Sequence, residues 1–115
     1  MTVINQLAAD VLRLEIVYSN LYQAYISGNR TGMINFYMAA QQINIPHFND
    51  TILSESRRVF DSKCCFTDIV ALPIQQLTLE QLKWNVEGCL NALSKELSQR
   101  NIYKTNYIYA QSVLY

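Results

Sequence analysis

One histidine, one tryptophan, two prolines, three glycines and three cysteines are all that the 115-residue chain holds of those types. A single imidazole, His47, leaves no second histidine for a zinc site. Adjacent Cys64 and Cys65 lack the two-residue gap that lets paired thiolates converge on one metal, and no second ligand pair exists. An odd cysteine count leaves at least one thiol free, and neighbouring cysteines bridge each other only with strain, so reduced thiols in a cytosolic setting are expected. Net charge is lacking too: nine basic and nine acidic residues cancel. No global field therefore recruits nucleic acid, an anionic membrane or a strongly charged partner. No run approaches the roughly 18 apolar residues of a membrane span. Residues 31–49 carry no charge, but Asn35, Gln41, Gln42, Asn44 and Asn49 make them too polar to cross a bilayer. Asp10, Arg13 and Glu15 interrupt the N-terminal apolar residues without a basic leader, so no secretory signal is expected. These absences predict a soluble, cytoplasmic protein.

Catalytic constellations are equally scarce. His47, lodged between Pro46 and Phe48, would have to fold against Cys64, Cys65 or Cys89, with a third group orienting the imidazole, to make a nucleophilic centre. Nothing in the spacing requires that arrangement. The carboxylates stand singly, mostly beside basic residues at helical spacing, as in Glu80 with Lys83, Lys83 with Glu87, and Glu96 with Arg100, which is the pattern of a solvated helix face. Gly28 to Gly32 precedes a helix, where free amides with Arg30 can cradle an anion, yet the Walker lysine is missing. No enzyme activity, cofactor or metal is expected.

What the chain does have is apolar periodicity. Half of its residues are hydrophobic, enough for one domain of this size to bury roughly two thirds of its unfolded surface. Ile4, Leu7, Val11, Leu14, Tyr18, Leu21 and Tyr25 alternate three and four apart, one seam on a helix from a Thr2 cap to about Ile26, closed by Gly28 and Asn29. A second helix is expected over residues 31–43, stopped by Pro46, with Ile34, Tyr37 or Met38, Gln41 and Ile43 inward. Asn49 or Asp50 caps a third through Phe60, with Ile52, Leu53, Ser56, Val59 and Phe60 inward. Residues 62–77 suggest a short helix or buried connector. Thr78 to Gln81 reads as a capping box before Leu79, Leu82, Val86, Cys89 or Leu90, Leu93 and Leu97. The tail from Ile102 fits a helix through Tyr103, Tyr107, Ala110 and Leu114, and a strand through Tyr103, Thr105, Tyr107 and Tyr109; helix is favoured. The expectation is a single all-α domain over residues 1–115, a compact bundle of four to five helices with a long N-terminal helix.

Two stretches resemble known families. Tyr18, Leu21, Ala24, Tyr25, Gly28, Ile34, Phe36, Tyr37, Ala40 and Pro46 fall near the signature positions of one tetratricopeptide-type hairpin, with a one-residue deletion near Gly28 and Tyr22 where a small residue belongs. The resemblance implies a helical hairpin over a quarter of the chain. Ala39 to Pro46 is similar to the first helix and turn of helix-turn-helix regulators, which implies a following helix that meets DNA through Asn49, Thr51, Ser54, Arg57 and Arg58. Against it, Ile52 and Leu53 come about two residues late for the motif, and neutral net charge disfavours a large phosphate contribution.

Between Ile16 and Asn49 the only charged residue is Arg30, so this interval is expected to be either buried or covered by another chain. Tyr22 and Ile26 lie off the heptad seam, giving the first helix apolar residues on more than one side. The reading is a non-enzymatic adaptor or regulatory subunit that binds another protein through Tyr22, Tyr25, Met33, Phe36 and Tyr37. The protein is expected to be a homodimer, with Leu7, Val11, Leu14, Tyr18 and Leu21 supplying the dimer seam or the chain's own core. The alternative is a small DNA-binding regulator.

Overall fold

The computed structural model describes residues 3–63 and 73–113, with side chains described for 6, 8–63 and 73–100. The described chain is all-helical: α1 Val3–Ser27, α2 Arg30–Gln41, α3 Phe48–Lys63 and α4 Leu79–Val113, with a single 3-10 turn at Ile74–Gln76. Residues 64–72, which include Cys64, Cys65 and most of the expected connector, lie outside the described residues, as do the Thr2 cap and the side chains of Ile4 and Leu7.

Helix α1 is 25 residues long, about 37 Å of rise. Its heptad stripe turns inward: Val11, Leu14 and Leu21 are buried, joined by Val17 and Ala24, while Tyr18 and Tyr25 pack half-buried against the same core. Gly28 ends the helix at φ +67°, a left-handed conformation that costs other L-residues about 1–2 kcal/mol. There the Gly28 amide donates to the Tyr25 carbonyl at 3.3 Å and the Asn29 amide to Ala24 at 3.0 Å, so two of the four orphan carbonyls of the last turn are satisfied. Asn29 caps the next helix at once, its side chain accepting from the Gly32 amide at 3.1 Å. The chain thus reverses within two residues.

Helix α2 ends at Gln41, short of the expected Ile43. Ile43 and Ile45 are buried in the connection rather than on a helix face. His47 (φ 64°) then turns the chain into α3, its carbonyl accepting from the Thr51 amide and hydroxyl, both at 3.1 Å. Helix α3 continues to Lys63, beyond the expected end. Its buried face is Phe48, Ile52, Glu55, Ser56, Val59 and Phe60; Leu53, expected inward, is exposed, as is Leu79 at the start of α4.

The capping box forms reciprocally: the Thr78 amide donates to Gln81 Oε1 at 3.1 Å and the Gln81 amide to Thr78 Oγ1 at 3.2 Å. From there α4 runs unbroken for 35 residues, about 52 Å, and the tail that fitted either a helix or a strand is its helical continuation. The molecule measures 56 × 25 × 21 Å, with α4 long enough to account for its longest dimension. Helices α1, α2 and α3 all pack on α4. Antiparallel order follows from two contacts on α1, where Tyr25 lies beneath Lys83 and Asp10 accepts from Arg100 at 3.0 Å. Arg100 also holds Glu96 at 3.0 Å, one of the three helical pairs expected from spacing.

A close backbone approach joins α3 to α4. A Cβ at Gly88 would stand 2.4 Å from Ser56 Cα and 2.5 Å from its nitrogen, so the two backbones touch where the side chain is missing. One helical turn along each helix, Phe60 and Trp84 meet edge to face with centroids 5.5 Å apart. Ser56 Oγ donates to the Asn85 carbonyl at 3.2 Å. Glu55, only 4% exposed, departs from the expectation of solvated carboxylates. It pairs with Lys95 across the seam and lies 3.7 Å from Arg58.

These two glycines act by different physics, which substitution separates. Gly88→Ala should destabilise by about 2 kcal/mol or more, because overpacking against backbone outweighs alanine's helix propensity. Gly28→Ala, with open space around it, should cost about 1 kcal/mol from its dihedral alone. Urea midpoints of both variants check the order, and a Gly88→Ala protein as stable as the parent would refute the close approach.

Candidate interaction surface

The outward side of α1 is the most apolar exposed feature of the described structure. Leu12, Ile16, Tyr22 and Ile26 are 58%, 52%, 43% and 57% exposed. Leu12, Ile16 and Ile26 stand opposite the heptad seam and Tyr22 on its flank, because α4 and α2 cover only one side of α1. Tyr22 stacks on half-buried Tyr18, centroids 6.2 Å apart and rings 5° from parallel, so one tyrosine at the core edge props another at the surface. From Ile16 to Ser27 the helix has no charged side chain. Toward its N-terminal half, Ala9, Leu12, Arg13, Ile16 and Val17 line a concavity of about 360 Å³. Exposed aliphatic and aromatic groups in a charge-depleted setting are the composition of interface cores.

The residues expected to form a partner surface divide. Tyr22 is exposed. Tyr25 and Phe36 are half-buried and pack against the core. The Lys83 ammonium stands 5.8 Å from the Tyr25 ring centroid, rather than closing the ion pairs with Glu80 and Glu87 that spacing suggested. Burial first, then the Glu87 carboxylate and Tyr22, push the Tyr25 phenol above its ordinary range. Met33 and Tyr37 are a correction. Both belong to the buried face of α2, Met33 wholly and Tyr37 with its hydroxyl against Ser56, and neither can meet a partner in the folded chain. Of the expected seam, Val11, Leu14 and Leu21 are buried and Tyr18 half-buried in the chain's own core, while the Leu7 side chain lies outside the described residues.

On α3, Asn49, Ser54, Arg57 and Arg58 are exposed, whereas Thr51 is half-buried. Asp50 and Asp61 interrupt the basic character of this face. The helix lies chiefly against α4, with little contact to α2, so the α2–α3 pair is not packed as the two helices of a helix-turn-helix are. Arg30, the candidate anion ligand, instead donates to the Gln75 carbonyl at 2.9 Å.

His47 is exposed, its Nδ1 3.9 Å from Asp50 Oδ2. Cys89 is buried in the core, and burial pushes its thiol up from 9.0 to about 12, leaving it protonated and inert near neutrality. Among the described residues no group of three or more His, Cys, Asp or Glu side chains is placed to hold a metal, and no helix is long and apolar enough to cross a membrane. The chain matches no family model, no curated protein and no solved structure.

Sequence reasoning passed over Leu12 and Ile16. Their signal was a second heptad series, displaced from the first, which a search for one seam does not weigh.

The buried acids give a pH dependence. Burial also pushes the Tyr37 phenol up from 10.0 to about 12, with its Ser56 hydrogen bond partly opposing. Both groups are neutral in the fold and ionise more readily unfolded, so their contribution is complete below about pH 9 and is lost as pH rises toward about 12. Denaturation near neutrality and at about pH 11 should show a fall in stability. Cys89→Ala should shrink that fall even though it lowers stability at both pH values; an unchanged fall would show that the thiol is not held neutral.

Proposed function

We propose that this protein works by binding another protein, as a non-enzymatic adaptor or regulatory subunit, and that the outward face of α1 is its contact surface. The observation that carries this reading is the exposure of Leu12, Ile16, Tyr22 and Ile26 on a helix whose opposite stripe is already buried in the core. A surface helix that needs one apolar side for its own fold is normally charged on the other. Leaving large aliphatic groups in water disfavours the free protein, and covering them supplies binding energy of about 25 cal/mol per Å² of apolar surface removed from water. Tyr22 adds a large ring that its stack with Tyr18 already holds in place, so little ordering is lost on contact.

Tagged parent protein and Ile16→Asp, captured from native lysate after nuclease treatment and at high salt, test the proposal. The parent should retain a near-stoichiometric protein, and Ile16→Asp should weaken it by about 2 kcal/mol or more, roughly thirtyfold, with an unchanged thermal midpoint because the position is exposed. Arg57→Ala with Arg58→Ala should leave capture intact. Capture indifferent to Ile16, or nucleic acid retained only through Arg57 and Arg58 and lost with salt, would overturn it.

A further inference from the structure

Ala9, Leu12, Ile16, Ser19, Gln23 and Ile26 follow one another at alternating steps of three and four, and all six are exposed. That is the spacing with which one helix receives another. The N-terminal half of this stripe is the apolar concavity already described, and among the described residues Arg13 is the one charged group lining it. Among the described residues Arg13 forms no ion pair. Nearby Asp10 is committed to Arg100, and Glu15 stands on the other flank of the stripe. We infer that the occupant of this face is an amphipathic helix of another protein that brings a carboxylate to Arg13; the inference rests on the proposed function and specifies its partner.

A second copy of the chain lacks that complementarity. One flank of the stripe is Ala8, Glu15 and Tyr22, and the other is Arg13, Asn20 and Ser27. In a parallel pair opposite flanks meet five residues apart, which sets Arg13 against Ala8 and Glu15 against Asn20. In an antiparallel pair like flanks meet, so Arg13 faces only arginine, asparagine or serine. Neither orientation brings Glu15 to Arg13. An acid must come from a different sequence, and it would contribute selectivity more than affinity.

The probe is a displayed library of three-heptad helices with Leu or Ile at the seam positions and Glu, Lys, Gln or Ala at each flanking position, selected on the intact protein. Selected helices should carry Glu at one flanking position and bind about fivefold tighter than their Lys counterparts. An Arg13→Glu bait should reverse the choice, and Ile16→Asp should abolish binding. Helices that need Ile16 but ignore Arg13 overturn the acidic partner while leaving the docking face standing. Helices that ignore both, or none selected, overturn the inference at this surface. Self-association of the parent in sedimentation, removed by Ile16→Asp, would assign the face to a second copy and overturn it as well.

Discussion

The backbone contact between Gly88 and Ser56 sets the spacing on which the other helix contacts depend. Only a residue without a side chain lets α4 lie against α3 at this distance. That proximity brings Ser56 Oγ to the Asn85 carbonyl and places the Tyr37 hydroxyl of α2 beside the same serine. Three helices therefore meet at a short polar chain inside an otherwise apolar core. Buried polar groups cost stability unless they are hydrogen-bonded; the Ser56–Asn85 bond exists because the helices are close and constrains how they slide or rotate, while the buried Asn85 Oδ1 beside it has no partner among the described residues. The edge-to-face pair of Phe60 and Trp84 and the ion pair of Glu55 with Lys95 extend the same seam in both directions.

Placing α4 at the centre decides what happens to α1. Helix α3 occupies one side of α4, and α1 with α2 occupies another, so α1 is covered along a single stripe. The interval from Ile16, in which Arg30 is the only charged residue, thereby has two fates. In α2 the missing charges reflect burial, with Met33, Tyr37 and Ala40 inside the core. In α1 the inward residues are buried while Ile16, Tyr22 and Ile26 remain in water. Absence of charge is one signal with two physical causes, and only the packing separates them.

Much of the fold was legible because it rests on local chemistry. The seam of Val11, Leu14 and Leu21, the turn at Gly28 and the reciprocal cap of Thr78 with Gln81 each follow from residue types at fixed offsets. The long-range features were not. Gly88 contributes nothing to an apolar pattern, and its importance lies in a neighbour 32 positions earlier, at Ser56. Glu55 sits among polar residues that look solvated until Lys95, 40 residues away, is brought over it. Leu53 and Leu79 match the hydrophobic period and still face solvent, because periodicity names a face without saying whether another element covers it. The candidate surface was legible in part: Tyr22 and Ile26 stood out as lying off the seam, whereas Met33 and Tyr37 were assigned to a partner that the chain's own core replaces.

The pairing of Asp10 with Arg100, separated by 90 positions, also bears on how the protein comes into being. Synthesis releases α1 before the helices that cover it, and the two-residue turn lets α2 cover part of its inner stripe at once. The remainder waits for α4, which follows the other three helices in the chain, so contacts of high sequence separation complete α1. Until α4 emerges, α1 presents apolar groups on both sides, the condition under which nascent chains engage chaperones or misassociate. A ribosome that stops within α4 would release a chain whose first helix is still open on its inner side. Quality control in the cell would meet that unfinished inner stripe beside the outward face that the finished protein retains.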